Sequence, residues 1–481
     1  MKASTKQINL IFENCTHVGE LPNGIDINNE KLLKLLVKHN WLWHGKFLHE
    51  YRDIFGNDVS VFLNYLPIST DFFWQRMLYE FTTPHRPINK HDVYFVPLGV
   101  YGSIDNLLGM NPNTKSSIEL LSDKIIDLIN ENDNVYLLIN HTDEGYFTKE
   151  NVTKMIVDCR NKKIKSGKVI YATACYNAQD VFKQYFKELN TNYEINTLYY
   201  NWALESCAKH WLNILNRPND YKFYEDIQHY ETITTEKDVL EKKDKLRDNK
   251  FLSFNNKLRS HRLYFLSILK NNGELNNNLI SYDLTDLDFE GTKNQYTEQL
   301  QDYSFTEEEV NFYLDSYNLE KQKQTVDLEN IRDARGHGWD RNSVYLDSYI
   351  NLTTETLFFD DCWYISEKIF KPIANLQPFV VIGSPHILLE LKKLGFKTFD
   401  KWWDESYDTE LNHTERLRKV HGVIDKLSSM SLSEIHDMYY KILPDLIYNQ
   451  QKLFSYEIKK PNQKEFAKNL KNFMPSGSRL S

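Results

Sequence analysis

The chain has 481 residues, a length that suggests two or three domains, each able to bury its own core. Hydrophobic residues make up 41% and charged residues 26%, which is the globular range. A net charge of −9 argues against a general nucleic-acid binder, which needs a basic surface, and leaves room only for a local basic cleft.

The N-terminus, "MKASTKQINLIFENC", lacks the apolar core of a signal peptide, and no apolar run reaches transmembrane length. The five cysteines, Cys15, Cys159, Cys175, Cys207 and Cys362, are scattered without a CxxC pair or zinc spacing, which fits a reducing compartment. A soluble, cytoplasmic protein with no membrane span is expected. The Asn151-Val152-Thr153 sequon is what an Asn-rich chain produces by chance.

Through about residue 230, short apolar runs alternate with amphipathic stretches, the pattern of a parallel α/β sheet. "INLIFEN" predicts a first strand and "DVYFVPLGVYG" (92–102) another. "SSIELLSDKIIDLINEN" has helical spacing of Leu and Ile. A buried strand at 135–139 then runs into the polar cluster Asn140, His141, Asp143, Glu144. "GKVIYATACYN" repeats the form, with a helix predicted from about Ala178. Open α/β sheets hold ligands at the carboxyl ends of their strands, where His141 and Glu144 would sit.

Charge dominates "EKDVLEKKDKLRDNK" (236–250), which reads as a solvated linker or exposed helix and as a domain boundary. A second unit follows: a strand at 251–254, a basic turn, a helix from about Ser260, and a strand in "ELNNNLISYDL". Residues 285–323 are polar and read as an inserted, partly helical excursion. The α/β rhythm resumes in "SVYLDSYINLTTET" and runs through "PFVVIG". "SPHILLELKKLG" predicts a helix capped by Ser384 or Pro385 and stopped at Gly395. From Thr414 the chain reads as helical, and Ser431-Leu-Ser-Glu434 is a capping box opening the last long helix. The resulting scheme is α/β, with two Rossmann-like domains facing a cleft. An N-terminal acceptor domain takes 1–235, a linker 236–250, a donor domain 251–412 and a helical tail 413–481.

Four constellations could carry chemistry. "ISEKIFKP" lets Ser366 cap a helix whose first turn holds Glu367 and Lys368. A lysine there opposes the helix dipole and makes sense if a phosphate shares the site, while Glu367 could accept from ribose hydroxyls. Pro372 should kink or delay that helix, because it loses a bond and clashes one turn back. "FNNKLRSHR" gathers Asn255, Lys257, Arg259, His261 and Arg262 at a strand-to-helix turn that suits a diphosphate. His141 or Glu144 could be a general base. Asp286 and Asp288, two apart, could hold a divalent metal. "RGHGWD" (335–340) reads as a flexible loop or lid. Each cluster also has an ordinary reading as solvated surface charge.

"ISEKIFKPIANLQPFVVIGSP" resembles the donor-binding signature of α-1,3-fucosyltransferases and related two-domain (GT-B) glycosyltransferases. Glu367-Lys368, Pro378 and Gly383-Ser384-Pro385 match it in order, and "SHRLYFLSIL" is similar to the family's arginine-bearing helix. The resemblance implies that Arg262 and Lys368 bind the diphosphate and that Glu367 holds the ribose. Glu355 and Lys371 join Asn255, Lys257 and Arg259 as further donor-site candidates. The family's Phe-Glu-Asn stretch is replaced by "NLTTETLFFDDCWYISEK", and Lys371-Pro372 departs from the usual pattern, as in a divergent bacterial or phage-type branch. The implied activity is inverting, metal-independent transfer from a nucleotide-diphosphate sugar, with a GDP-sugar as the candidate donor, to a hydroxyl of a glycan or other acceptor. No cofactor is implied; the nucleotide sugar is a co-substrate. Two alternatives stand: a metal-dependent (GT-A) transferase using Asp286 and Asp288, and a non-catalytic α/β carbohydrate-binding protein.

Overall fold

The computed structural model describes residues 8–13, 59–65, 93–99, 104–110, 114–121, 123–142, 145–201, 204, 233–255, 259–283, 289–314, 323–324 and 342–455. Glu144, Lys257, Asp286, Asp288 and the 335–340 loop lie outside them. The chain divides into two compact units, Met1–Trp202 with Lys460–Ser481, and Ala203–Lys459.

The first unit carries six parallel strands: β1 (Ile8–Glu13), β2 (Val59–Tyr65), β3 (Val93–Gly99), β4 (Val135–His141), β5 (Val169–Thr173) and β6 (Ile195–Tyr199). Their order is β2-β1-β3-β4-β5-β6. Four helices lie between them among the described residues: α1 (Ile104–Leu108), α2 (Asp123–Glu131), α3 (Lys149–Asn161) and α4 (Ala178–Glu188). Every residue of β5 is buried, as expected where helices cover both faces of a parallel sheet. The predicted strands and the start of α4 agree with the sequence pattern. Helix α2 is shorter than "SSIELLSDKIIDLINEN" suggests. Ser116 and Glu119 satisfy each other's amides at 2.8 and 3.1 Å in a separate turn, and the helix restarts at Asp123.

The second unit holds β7 (Asn249–Asn255), β8 (Leu279–Asp283), β9 (Lys323–Gln324), β10 (Ser348–Thr354) and β11 (Phe379–Ile382), ordered β11-β10-β7-β8-β9. All pairs are parallel except β8 with the two-residue edge strand β9. The chain starts in the middle at β7, steps outward to β8 and β9, then returns to the other side of β7 for β10 and β11. This is the doubly wound order, and its switch point falls between β7 and β10. The helices are α5 (Glu236–Glu241), α6 (Ser260–Asn271), α7 (Phe289–Asp302), α8 (Glu307–Leu314), α9 (Asn342–Leu346), α10 (Glu367–Ala374), α11 (Ile387–Lys393), α12 (His413–Ser429) and α13 (Leu432–Phe454). Ser431 and Glu434 form the expected capping box of α13. "SVYL" is the helix α9, with the strand beginning only at Ser348.

Residues 236–250, read as a solvated linker or an exposed helix, are mostly exposed and include the short helix α5. Arg247 within them is buried, donates from Nη1 to the Tyr345 carbonyl at 3.1 Å, and lies 4.9 and 4.1 Å from the ring centroids of Tyr349 and Tyr439. A charge-rich composition therefore conceals a residue that ties β10 to α13. Residues 413–455, expected as part of a helical tail, are helical and pack on the second unit. Tyr439 Oη donates to the Leu376 carbonyl at 2.8 Å, and Gln450 Nε2 donates to the Thr234 and Ala374 carbonyls at 2.7 and 2.6 Å. The apolar stripe of α13 is the cover for α10 and the sheet. Among the described residues, no helix is long and apolar enough to cross a membrane.

Candidate functional site

The carboxyl ends of β7 and β10 meet at the switch point of the second sheet. Asn255 closes β7, is buried, and accepts from the Thr354 hydroxyl at 2.6 Å while donating to Ser253 Oγ at 3.1 Å. The two strand ends are thus laced by side chains just beyond their shared ladder. Arg259 is the exposed N-cap residue of α6 and uses no side-chain atom to cap it. His261 and Arg262 follow in the first turn and turn inward.

Arg262 is 4% exposed, and its Nη2 donates to the carbonyls of Thr354 and Glu355 at 3.1 and 3.0 Å. His261 Nε2 lies 3.1 Å from the same Glu355 carbonyl. A carbonyl only accepts, so Nε2 carries the proton. Burial, then the neighbouring Arg262 charge, drives the His261 pKa well below its usual value, and the ring is neutral. The sequence reading puts Arg262 on a diphosphate. In the structure it lies beneath the end of β10 as a fixed buried charge.

From Glu355 the chain runs through a loop of large rings before α10. His261 stacks on Phe358 at 5.3 Å and 17°, and Tyr303 stacks on Phe359 at 4.7 Å and 14°. Tyr303 Oη donates to the Phe359 carbonyl at 3.0 Å. Buried Arg416 donates from Nη2 to the Phe358 carbonyl and from Nε to the Gly383 carbonyl at 3.2 Å. A loop held this way fixes both of its ends, Glu355 and Ser366. Nothing local in the sequence marks Arg416, because its partners lie 33 and 58 residues away.

Ser366 is the N-cap of α10, accepting from Lys368 N at 3.2 Å, as its position predicts. Its hydroxyl also donates to Glu355 Oε2 at 2.6 Å. Lys368 Nζ lies 3.3 Å from Ser366 Oγ and 3.1 Å from Glu367 Oε1. The side chains of Lys368 and Glu367 are 29% and 22% exposed, against 1% for Glu355. Burial pushes the Glu355 carboxyl above its ordinary range, against the pull of Lys368 and the Ser366 bond. Burial acts on Glu367 in the same sense, but Lys368 and then Lys371 outweigh it and hold that carboxyl low. Lys371 Nζ itself sits 5.7 Å from the Phe254 ring centroid.

The expected delay of this helix by Pro372 is absent, since α10 begins at Glu367, directly after its cap. Pro372 is buried and lies two residues before the helix end, where Asn375 N donates to the Lys371 and Pro372 carbonyls, both at 3.1 Å. Only the bond from position 372 to the Lys368 carbonyl is missing, and the helix closes two residues later.

Gly383 flanks the same carboxylate. A Cβ there would sit 2.9 Å from Glu355 Cβ and Ile387 Cδ1, so the glycine of "GSP" leaves room for Glu355. Helix α11 is not capped by Ser384 or Pro385, as the sequence suggests. Its N-cap is His386 at φ 64°, and its amides are met from afar. Leu388 N and Leu389 N donate to the two carboxylate oxygens of Asp408 at 2.8 and 2.9 Å. Burial raises the Asp408 pKa to about 6 despite those two bonds.

In the first unit, His141 ends β4 and is 1% exposed, with Nδ1 at 2.6 Å from Tyr171 Oη. The structure thus brings together Asn255, His261, Arg262, Glu355, Ser366, Glu367 and Lys368 through one hydrogen-bonded chain in the second unit. Arg259 is exposed beside it. No group of three His, Cys, Asp or Glu side chains that could hold a metal ion occurs among the described residues.

No protein-family model matches the chain, and no curated protein matches it. Among solved structures it is similar to the N-terminal domain of trehalose-6-phosphate phosphatase from Candida albicans, at 11% identity and a TM-score of 0.38, over 98% of this chain and 97% of that one. It is also similar to OtsA in its apo form, at 10% identity and a TM-score of 0.36, over 98% and 99% of the two chains. A third likeness, to HepE from Anabaena in complex with UDP and glucose, has 11% identity and a TM-score of 0.29 over 91% and 99%. At such scores none of the three fixes the fold or the site of this chain.

Proposed function

We propose that the chain is a glycosyltransferase that takes a sugar from a nucleotide-diphosphate sugar, with a GDP-sugar of fucosyltransferase type as the first candidate donor. One observation carries this reading. A partly exposed lysine, a partly exposed carboxylate and a buried arginine are coupled through Glu355 and Ser366 at the switch point of a doubly wound sheet, where such sheets bind nucleotides.

Lys368 is the cation that reaches a leaving diphosphate. Its ammonium now rests on Glu367 and Ser366, contacts a phosphate oxygen would replace. Arg262 adds positive potential from behind the strand end and holds Glu355 in place. Glu367, kept ionised by Lys368 and Lys371, accepts from ribose hydroxyls. Charge developing on the diphosphate as the glycosidic bond breaks is met by these fixed groups, the largest catalytic term in such reactions.

The acceptor hydroxyl attacks the anomeric carbon with inversion and loses its proton to a base. His141 is enclosed and engaged by Tyr171, so we assign the base to Glu144. The acceptor is a glycan or another hydroxyl-bearing molecule. Measuring sugar release and transfer from GDP- and UDP-sugars tests the reading. Lys368→Ala should lower turnover about a hundredfold or more with the fold retained. Undiminished turnover in that variant sinks the assignment.

A further inference from the structure

One oxygen of Glu355, Oε1, is buried and has no hydrogen-bond partner among the described residues. The other, Oε2, receives the Ser366 hydroxyl at 2.6 Å. Ser366 shows why the first is left over. Its oxygen faces Lys368 N at 3.2 Å and Lys368 Nζ at 3.3 Å, and both can only donate. Its two lone pairs are occupied, so its own hydrogen goes to Glu355 Oε2. That oxygen is an acceptor whichever protonation state the carboxyl adopts. Oε1 is then either a bare carboxylate oxygen or the O–H of the acid.

The carboxyl is built into the fold. Its backbone carbonyl is gripped by Arg262 and His261, its amide donates to the Ile382 carbonyl at 2.8 Å, and Gly383 leaves out a side chain that would strike it. Enclosing such a group with one oxygen unmet is costly, and a fold that holds it this firmly calls for a ligand group to meet it.

We infer that Glu355 Oε1 receives a hydroxyl group of the transferred sugar and so helps to choose which sugar is moved. This inference rests on the nucleotide-sugar function proposed above. A hydroxyl satisfies Oε1 in both of its forms, donating to the carboxylate or accepting from the acid. A phosphate oxygen can only accept and so meets only the acid, and an ammonium can only donate and so meets only the carboxylate. The ribose falls to Glu367, which leaves the sugar's own hydroxyls for Glu355.

The test is calorimetric titration of the full-length protein with GDP, UDP, GDP-fucose, GDP-mannose and UDP-glucose, then of Glu355→Gln and Glu355→Met with the pair that binds best. Both variants should lose about tenfold or more in affinity for the sugar nucleotide, the size of a charge-assisted hydrogen bond, and clearly less for the matching nucleoside diphosphate, which feels Glu355 only through Ser366 and Lys368. Single-deoxy versions of the preferred sugar nucleotide check this on the unaltered protein. One of them should bind about tenfold more weakly, and that deficit should vanish in Glu355→Gln. Equal loss for nucleotide and sugar nucleotide, or no loss for either, overturns the inference and leaves the nucleotide-sugar function standing. Failure of the unaltered protein to bind any of the five defeats that function and the inference together.

Discussion

Glu355 Oε2 and Ser366 Oγ lie 2.6 Å apart, joining the end of β10 to the N-cap of α10 across a loop of ten residues. The bond serves two ends at once. It gives a buried carboxylate a donor, and it turns the lone pairs of Ser366 toward Lys368.

Ser366→Ala removes both services. The loss of an N-cap costs about 1 kcal/mol, and leaving a second Glu355 oxygen unmet adds ~1–3 kcal/mol. Urea unfolding should show a deficit of that sum. Glu355→Gln combined with Ser366→Ala should cost less than the two changes added, because the neutral amide needs the hydroxyl less. Strict additivity would mean that the two side chains do not share one network.

Gly383→Ala addresses the packing on the other flank. The new methyl would sit 2.9 Å from Glu355 Cβ, part of a side chain fixed by the strand, so Glu355 must shift. Overpacking of this kind costs about 1–3 kcal/mol. Turnover should fall further than the stability loss accounts for at a temperature where the variant is folded. A variant with wild-type turnover would show that Glu355's position is not critical.

Asp408 sets a pH dependence. Its folded pKa of about 6 lies above the ordinary 3.8, because burial disfavours its charge more than the amides of Leu388 and Leu389 favour it. Its contribution to stability is therefore full below pH ~4 and is lost as the pH rises through about 6, up to ~3 kcal/mol in all. Burial raises Glu405 and Glu355 in the same sense. Over the same range the buried histidines His261 and His413, held low by burial, add stability as the pH rises. Asp408 is therefore isolated by comparison: the denaturant midpoint of Asp408→Asn, which keeps one acceptor and removes the charge, should gain on that of the unaltered protein between pH 4.5 and 7.

The two base candidates separate by variant. Glu144→Gln should abolish transfer while nucleotide-sugar affinity holds, as expected when only the proton acceptor is lost. His141→Ala should act through stability, since it empties a buried site and removes the Nδ1 that now lies 2.6 Å from the Tyr171 hydroxyl. A folded His141→Ala protein with no turnover would reverse the assignment.

Local patterns in the chain were readable where the physics is local. The apolar runs marked most of the strands, Ser260 and Ala178 opened their helices where predicted, and Ser431 with Glu434 capped α13. Glu367 and Lys368 stood out because charge beside a buried strand is unusual. Long-range partners were hidden. Nothing near Asp408 says that it caps a helix some 20 residues earlier, and nothing near Arg247 says that Tyr439 will cover it. Arg262 was found as a cation but not as a buried one, because periodicity does not reveal which charged side chain turns inward beneath a strand end.

The central claim is tested most directly by calorimetric titration of the unaltered protein and of Lys368→Ala with GDP and UDP, without any metal. The account predicts that one of the two nucleotides binds the unaltered protein and that Lys368→Ala weakens it by about tenfold or more, the worth of a charge-assisted phosphate contact. No binding of either nucleotide, or equal affinity in both proteins, would contradict it.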